Sequence, residues 1–356
     1  MYTQPIKEAL FQSFKFICSK YSNDKKILNK LAEYEVTEYC FPNAGYDLTL
    51  DVLVELFSAL GQYYSTSNLI NHFFSLDCFA LPGFKANNYK IAKETLNEQK
   101  LTTCIYINDL HFTGKESTIG QIPSYNIACI FPQGKIDNLF LAIQYKGYLH
   151  IYELPLDDPN IKIIDHTYLD FALLKIHISK TWINKNKSIF KIKNTSDAAK
   201  VCLARLRLYQ ASMLVGFGKK FFEITKQYVN KREQFSTRLI ANQAVRFKLS
   251  SLFCELKLAE NSVACLAAML DNNHDVSSTI TFAENMLIAN INLLHLIGPA
   301  CMQLCGAFGM TKASGIEYYY RLYCVLINVI SYTLCAEDAR NVISTYQLEF
   351  MSVNIC

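Results

Sequence analysis

The spacing of apolar side chains predicts helices at the start of the chain. Ile6, Leu10, Phe14 and Ile17 recur every three or four residues, so they share one face of a helix. Turn-forming residues at 41–45 end this pattern, and a second apolar face with the same spacing follows. The second face consists of Val52, Leu56 and Leu60. Residues 1–97 are therefore predicted to form an N-terminal helical domain.

The apolar period changes to two near residue 101. Five runs rich in β-branched and aromatic residues follow, separated by turn-forming residues. These runs lie at 101–107, 125–131, 138–145, 148–154 and 172–179. So many short strands in so short a stretch predict a compact antiparallel β-barrel or sandwich over residues 98–190.

The last third of the chain returns to helical periodicity. A lysine-rich segment at 180–193 is interpreted as a solvated hinge, because charge runs usually face water. The polar residues 194–197 can cap a helix that continues to about Asn230. Gly216 and Gly218 lie in its middle, where each costs about 1 kcal/mol relative to alanine. A close approach of another helix would offset that cost.

Further helices are predicted at about 240–270, 278–296 and 316–335. The predicted fold class is α+β, in three parts. They are an N-terminal helical domain at 1–97, a middle antiparallel β-barrel or sandwich domain at 98–190 and a C-terminal helical bundle at 191–356.

Composition narrows the class of protein. The chain has 356 residues, 51% of them hydrophobic and 19% charged, as in folded globular proteins. A net charge of +4 gives little electrostatic reason to expect nucleic acid or a membrane surface as partner. The longest apolar run, at 322–335, is shorter than the roughly 20 residues of a membrane span. We interpret it as a buried helix and expect no membrane span.

The thirteen cysteines form no C-x-x-C pair, and their odd number without a secretion signal favours reduced thiols in the cytoplasm. Cys301 and Cys305 share a helix face and are interpreted as small core residues. The seven histidines are isolated in sequence, so we expect no metal site.

Three short motifs follow one another in the C-terminal part. An R-x-x-F step ends the long helix, a paired Asn-Gln step follows, and a Q-x-x-G turn lies in the last apolar block. In this order and spacing they resemble the C-terminal helical bundle of the acyl-CoA dehydrogenase family. The residues that carry the resemblance are Arg232, Phe235, Asn242, Gln243, Gln303 and Gly306.

In that family a carboxylate removes a proton beside an acyl thioester, and FAD accepts a hydride from the next carbon. The resemblance implies that Arg232 and Phe235 hold the adenine-side phosphates of FAD across a subunit boundary. It implies further FAD contacts for the other four motif residues. A guanidinium such as that of Arg232 suits a pyrophosphate. Alternatively, these residues are ordinary helix caps and turns. Ala307 replaces the second glycine of the family's later turn.

The resemblance also implies that Arg207 supports the substrate end of the pocket. The alternative is a surface arginine on an amphipathic helix, because Arg205 lies nearby and either could face solvent.

Both positions at which the family carries its catalytic base are apolar here. The first, 27 residues after Gln303, is Ile330, and the second, directly before the substrate-side arginine, is Leu206. Glu337 and Asp338 come about two turns later. They are interpreted as ordinary polar residues.

The flavin-ring motifs are also missing. Residues 81–100 contain neither the Thr-Glu-Pro nor the Gly-Ser-Asp that the family places before its first barrel strand. The family's W-I-T/S step appears as residues 118–120, Thr-Ile-Gly. The resemblance therefore implies a weakened FAD site.

Two functional hypotheses follow. In the first, the protein is a degenerate member that binds an acyl thioester, FAD or both. It then acts as a non-catalytic or partner subunit in a homodimer, a tetramer or a hetero-oligomer with an active paralogue. In the second, it is an active FAD-dependent dehydrogenase of acyl-CoA or a carrier-bound acyl chain. Its relocated base would then be Glu116, Glu337 or Asp338.

Overall fold

A computed structural model describes most of the chain. The described residues are 4–21, 24–33, 49–63, 69–80, 101–107, 125–132, 136–159, 161–166, 171–178, 180–331 and 333.

The N-terminal part is helical, as predicted. Its helices are α1 (Gln4–Lys20), α2 (Asp24–Glu33), α3 (Asp51–Tyr63) and α4 (Leu69–Ala80). The predicted apolar faces are turned inward: Phe14 and Ile17 of α1 are buried, and so is the whole predicted face of α3. The turn expected at 41–45 and the side chain of Ile6 lie outside the described residues.

The middle part contains the five predicted strands, each within one residue of its expected bounds, and two more. The strands are β1 (Thr102–Ile107), β2 (Tyr125–Pro132), β3 (Asn138–Tyr145), β4 (Tyr148–Glu153), β5 (Ile161–His166), β6 (Phe171–Ile178) and β7 (Phe190–Lys193).

The strands of the middle part form two sheets, with orders β1-β3-β4-β7 and β2-β6-β5. Ile176 and Ile178 of β6 share a hydrophobic cluster with Leu141 and Ile143 of β3, so the sheets pack face to face as a sandwich. The expectation of antiparallel pairing is wrong for one pair, because β1 runs parallel to β3. The chain crosses to the other sheet through β2 between these two strands, and such a crossover permits parallel pairing, which a tight hairpin does not.

The lysine-rich segment is not a hinge, which corrects the sequence interpretation. It forms a short helix, α5 (Lys180–Lys185), and then β7, which pairs with β4 at the edge of the first sheet. Ile183 of α5 is buried among the sandwich residues. Lys185, Lys187, Lys191 and Lys193 are exposed, so these charges face solvent from ordered elements.

Four helices follow: α6 (Asp197–Lys231), α7 (Gln243–Asp271), α8 (Val276–Gly309) and α9 (Ile316–Ser331). Ser196 caps α6 as predicted, by accepting a hydrogen bond from the backbone N–H of Ala199 at 3.3 Å. The prediction that the third helix ends near residue 296 is wrong, because α8 continues through Pro299 and breaks its helical geometry only at Gly306.

Helix α6 is the centre of the molecule. It packs against α3 of the N-terminal part and against α7, α8 and α9 of the bundle, and 19 of its 35 residues are buried. Its N-terminal half also faces α4, which in turn packs on β1. All three parts of the fold therefore meet around one helix.

Among the described helices, α8 alone has the length and apolar character of a membrane span. Of its most apolar 18-residue window, 44% is buried within the protein. That buried side belongs to the main core and packs on α6, as expected of a long core helix. Residues 322–331 of the apolar run fall in α9, where the described side chains are largely buried, as predicted.

The nine cysteines whose side chains the structure describes are free. Cys301 and Cys305 are buried on one side of α8, as predicted. No cluster of metal-ligating side chains occurs among the residues that the structure describes.

Candidate functional site

Arg207 of α6 lies at the junction of the β-sandwich and the helical bundle, and its side chain is fully buried. One terminal nitrogen donates to the Thr333 hydroxyl at 2.9 Å and to Gln210 Oε1 at 3.2 Å. The other donates to the Thr333 carbonyl at 2.5 Å. The guanidinium also lies over the ring of Tyr106 in β1, 5.4 Å from its centroid. The surface-arginine alternative is therefore wrong.

The two family base positions lie on the elements that carry this cluster, α6 and α9. Leu206 is the neighbour of Arg207 in α6, and Ile330 lies in the last turn of α9. The Thr333 hydroxyl donates to the Ile330 carbonyl at 2.6 Å, which holds the end of α9 against Arg207. Both side chains are buried and neither can accept a proton. Neither family base position therefore carries a carboxylate in this cluster.

One described carboxylate does reach this cluster, and sequence reasoning missed it. Glu284 Oε1 of α8 lies 4.0 Å from a terminal nitrogen of Arg207, and the glutamate side chain is 27% exposed. A signal was present in the sequence: Glu284 is the only Asp, Glu, Lys or Arg among the 34 residues of α8. A lone acid in an apolar helix is a candidate for a specific partner or role.

A second buried charge pair lies beside Arg207 on the N-terminal side. Arg205 donates from Nε to Asp77 Oδ1 at 2.9 Å, and the Tyr209 hydroxyl donates to Oδ2 at 2.7 Å. Burial raises the pKa of the Asp77 carboxyl, although the charge and hydrogen bond of Arg205 and the bond from Tyr209 oppose that shift. Both oxygens are occupied, so Asp77 ties α4 to α6.

The expected adenine-side residues gather at the opposite end of the bundle. Arg232 ends α6 and opens a short hairpin of β8 (Glu233–Gln234) and β9 (Thr237–Arg238). Phe235 lies at its tip with a positive φ of 51° and an exposure of 99%. The backbone N–H of Leu239 donates to the Arg232 carbonyl at 2.9 Å and closes the hairpin. The hairpin thus presents an aromatic ring and a guanidinium to solvent.

Asn242 and Gln243 begin α7 directly after this hairpin. Asn242 is a helix cap, as the alternative interpretation had it: its Oδ1 accepts from the Ala244 N–H at 2.9 Å. Gln243 is exposed in the first turn.

Gly306 interrupts α8 with φ 56° and ψ −146°, a conformation that is almost restricted to glycine. A Cβ at this position would meet nothing within 4 Å, so the backbone here is open to an approaching group. Ala307 is not among the residues with positive φ. The turn therefore requires only one glycine, and alanine in place of the family's second glycine is compatible with it.

A stacked pair of aromatic rings joins the C-terminal end of α6 to the C-terminal end of α8. Tyr228, one turn before Arg232, stacks on Phe308, two residues after Gly306, with 5.0 Å between centroids and 8° between planes. Gln303 is exposed one turn before Gly306. Exposed donors, an open glycine backbone and a free aromatic face fit the adenine and phosphate side of FAD. They face outward, as residues that complete a shared site would.

Helices α7 and α8 also carry exposed stripes without any charged residue. The α7 stripe consists of Phe247, Ser251, Cys254, Leu258, Asn261 and Cys265. The α8 stripe consists of Thr281, Asn285, Ala289, Asn292, Leu296, Pro299 and Gln303. Each follows the three- and four-residue spacing of one helix face, and depletion of charge is typical of surfaces that another chain covers.

Several sites of the sequence analysis lie outside the described residues. They are the flavin-ring segments 81–100 and 118–120 and the three alternative bases Glu116, Glu337 and Asp338.

Comparison with known proteins agrees with this architecture. Residues 196–326 match the family model of the acyl-CoA dehydrogenase C-terminal domain. A curated relative from Bacillus subtilis, named "Probable acyl-CoA dehydrogenase YngJ", is 27% identical over 115 residues. That alignment covers 32% of this chain and 30% of the relative.

Solved structures extend the likeness to the whole chain. Butyryl-CoA dehydrogenase from Megasphaera elsdenii superposes with a TM-score of 0.69 at 12% identity, covering 98% of this chain and 99% of its own. The prolyl acyl carrier protein oxidase AnaB gives 0.66 at 14% identity, covering 98% and 100%. The ChsE4–ChsE5 complex from Mycobacterium tuberculosis gives 0.65 at 14% identity, covering 100% and 99%.

These likenesses define the class of protein: the chain has the three-part α+β fold of the acyl-CoA dehydrogenases. With the match of residues 196–326 to the family's C-terminal domain and the curated relative, the resemblance seen in the sequence is confirmed.

Proposed function

We propose that this protein is a degenerate acyl-CoA dehydrogenase that binds an acyl thioester, FAD or both and serves as a non-catalytic or partner subunit. The observation that carries the proposal is that apolar side chains, Leu206 and Ile330, occupy the two family base positions. Both are buried and apolar, and the adjoining guanidinium of Arg207 is fastened to the protein through Thr333. Loss of a positioned general base costs a factor of about 100 to 10,000 in rate.

The outer surface supports a role in an oligomer. Arg232, Phe235, Gln303 and Gly306 are exposed at one end of the bundle, and the charge-free α7 and α8 stripes leave apolar side chains in solvent. A homodimer, a tetramer or a hetero-oligomer with an active paralogue would cover these stripes. In such an assembly the exposed set of this chain would hold the adenine side of a cofactor whose ring lies in the neighbouring subunit. We place the assembly in the cytoplasm, where its unpaired thiols would stay reduced.

The first test is an absorbance spectrum of the purified protein after loading with FAD and removal of the excess. Bound flavin gives an absorbance band at about 450 nm, and bleaching of this band by acyl-CoA reports hydride transfer. If the protein is non-catalytic, it should show either no flavin band or a flavin band that acyl-CoA does not bleach. Bleaching at an enzymatic rate would overturn it. Co-purification with a paralogue that restores bleaching would identify the partner.

A second candidate function is favoured by Glu284. Its carboxylate lies beside the Arg207 guanidinium, which is also hydrogen-bonded to Thr333 at the end of the helix that carries Ile330. In this alternative the protein is an active FAD-dependent dehydrogenase of acyl-CoA or carrier-bound acyl chains. FAD would supply the hydride acceptor, and Glu284 would take the proton beside the thioester.

The substitution Glu284→Gln separates the two functions. If the protein bleaches flavin with acyl-CoA, Gln at 284 should slow bleaching by about 100-fold or more and remove the acidic limb of the pH profile. Glu255→Gln, on the exposed side of α7, is the matched control. An active protein whose rate is unchanged by Glu284→Gln would exclude Glu284 as the base.

A further inference from the structure

A cavity of about 750 Å³ lies between the N-terminal helices α1 and α3 and the bundle helices α6 and α7. Its volume is within the range of small-molecule sites. None of its lining residues belongs to the Arg207 cluster or to the adenine-side set. It is therefore separate from the site described above, and the inference below does not rest on the proposed function.

Most of the charged groups in the wall of this cavity are already satisfied. Lys219 and Lys257 both bind Glu260, at 2.8 and 2.6 Å. Burial alone would raise the pKa of Glu260, but the hydrogen bonds and charges of these lysines hold it below its usual value. The Asp271 carboxylate accepts from the backbone N–H of Leu50 at 2.9 and 3.2 Å. These groups form the framework of the cavity.

Two opposite charges in the wall have no such partner. Lys15 of α1 and Glu55 of α3 are half-buried, and neither makes an ion pair or hydrogen bond with any residue that the structure describes. A charge withdrawn from water without a partner is unfavourable. A ligand with a carboxylate for Lys15 and an ammonium group for Glu55 would satisfy both.

The remaining wall combines polar side chains with an apolar patch of Phe11, Val54, Val215 and Val263, which four different helices contribute. We propose that this cavity binds a zwitterionic amino acid or short peptide with an aliphatic side chain. Its carboxylate pairs with Lys15, its ammonium group with Glu55, and its side chain packs on the apolar patch. Because the walls come from both helical parts, bound ligand also holds these parts together.

The test is calorimetric titration of the full chain with L-leucine and with two analogues that each lack one charge. These are 4-methylpentanoate, which has no ammonium group, and 3-methylbutylamine, which has no carboxylate. The dipeptide L-leucyl-L-leucine separates the same charges further, and comparison with L-leucine decides between an amino acid and a peptide. A zwitterion should bind at least about tenfold more tightly than either analogue, since each lost charge removes one ion pair.

The variants Lys15→Gln and Glu55→Gln give the second readout. Lys15→Gln should weaken zwitterion binding by about tenfold, so that the zwitterion binds no more tightly than 3-methylbutylamine. Glu55→Gln should likewise leave the zwitterion binding no more tightly than 4-methylpentanoate. Lys20→Gln and Glu8→Gln, on exposed positions of α1, are the controls. Unchanged melting temperatures without ligand show that the variants fold. The proposal is wrong if neither zwitterion binds at millimolar concentration, if a singly charged analogue binds as tightly, or if both variants keep the wild-type preference.

Discussion

Arg205, Leu206 and Arg207 occupy three successive positions of α6, and none of them faces open solvent. Successive residues of a helix point about 100° apart, so this is possible only where the helix is enclosed on several sides. Arg205 turns towards α4 and Arg207 towards β1 and the end of α9. Amphipathic periodicity alone suggested that one arginine faced water. The enclosure of α6 by distant segments decided otherwise.

His72 should make stability depend on pH. It is buried, its Nδ1 accepts from the Thr102 N–H at 3.2 Å, and burial lowers its pKa to about 4. The unfolded chain binds a proton near pH 6.5 and the folded chain only near pH 4, so stability is present above pH 6.5 and is lost as the pH falls to 4. The loss amounts to about 3 kcal/mol.

The measurement is urea unfolding at several pH values for the wild type and for His72→Gln. The variant should lack the loss assigned to His72, whereas the same substitution at the exposed His274 should retain it. Parallel pH profiles of the wild type and His72→Gln would contradict the assignment.

Gly306 and Gly315 should respond differently to alanine. Both have positive φ and open space around a Cβ, so only the backbone conformation distinguishes them. Gly315 (φ 69°, ψ −17°) is left-handed helical, where alanine costs about 1 kcal/mol, whereas the ψ of −146° at Gly306 should raise the cost to about 3 kcal/mol. Chemical denaturation of both variants checks this order. Equal costs would mean that the turn at Gly306 relaxes.

At the level of elements, α3 and α6 cross with their backbones in contact. A Cβ on Gly216 would lie 1.9 Å from the Ser58 carbonyl oxygen, and one on Gly61 would lie 2.0 Å from that of Met213. The close approach expected from the sequence is thus confirmed for Gly216. Gly218 differs, because it faces side chains of α7 and α8.

Gly216→Ala should therefore destabilise the protein by about 3 kcal/mol or more, since backbone atoms block the added methyl group. Gly218→Ala should change the free energy of unfolding by no more than about 1 kcal/mol, because its nearest neighbour, the Leu256 Cδ2 atom at 3.0 Å, can move and alanine favours the helix. Thermal and urea unfolding compare the two. If Gly216→Ala folds with wild-type stability, the crossing is looser than described.

At the level of the whole molecule, the α7 and α8 stripes predict that this chain associates with another chain. Leu258→Glu places a carboxylate in the α7 stripe, where cover by another chain would leave it buried and unpaired. Association should weaken by about 3 kcal/mol, or roughly a hundredfold. Analytical ultracentrifugation measures it. Leu156→Glu makes the same change at an exposed position of the β-sandwich and should have no effect. A chain that is monomeric before substitution would refute an interface between copies of this chain.

The sequence by itself determined the order and bounds of most helices and strands and the motifs at Arg232, Asn242 and Gln303, because these depend on local periodicity and turn chemistry. It also showed that both family base positions are apolar. Tertiary structure alone decided the parallel pairing of β1 with β3, the burial of Arg207, the approach of Glu284 and the cavity beside Lys15 and Glu55. Each of these depends on contacts between residues far apart in the chain, which no local pattern encodes.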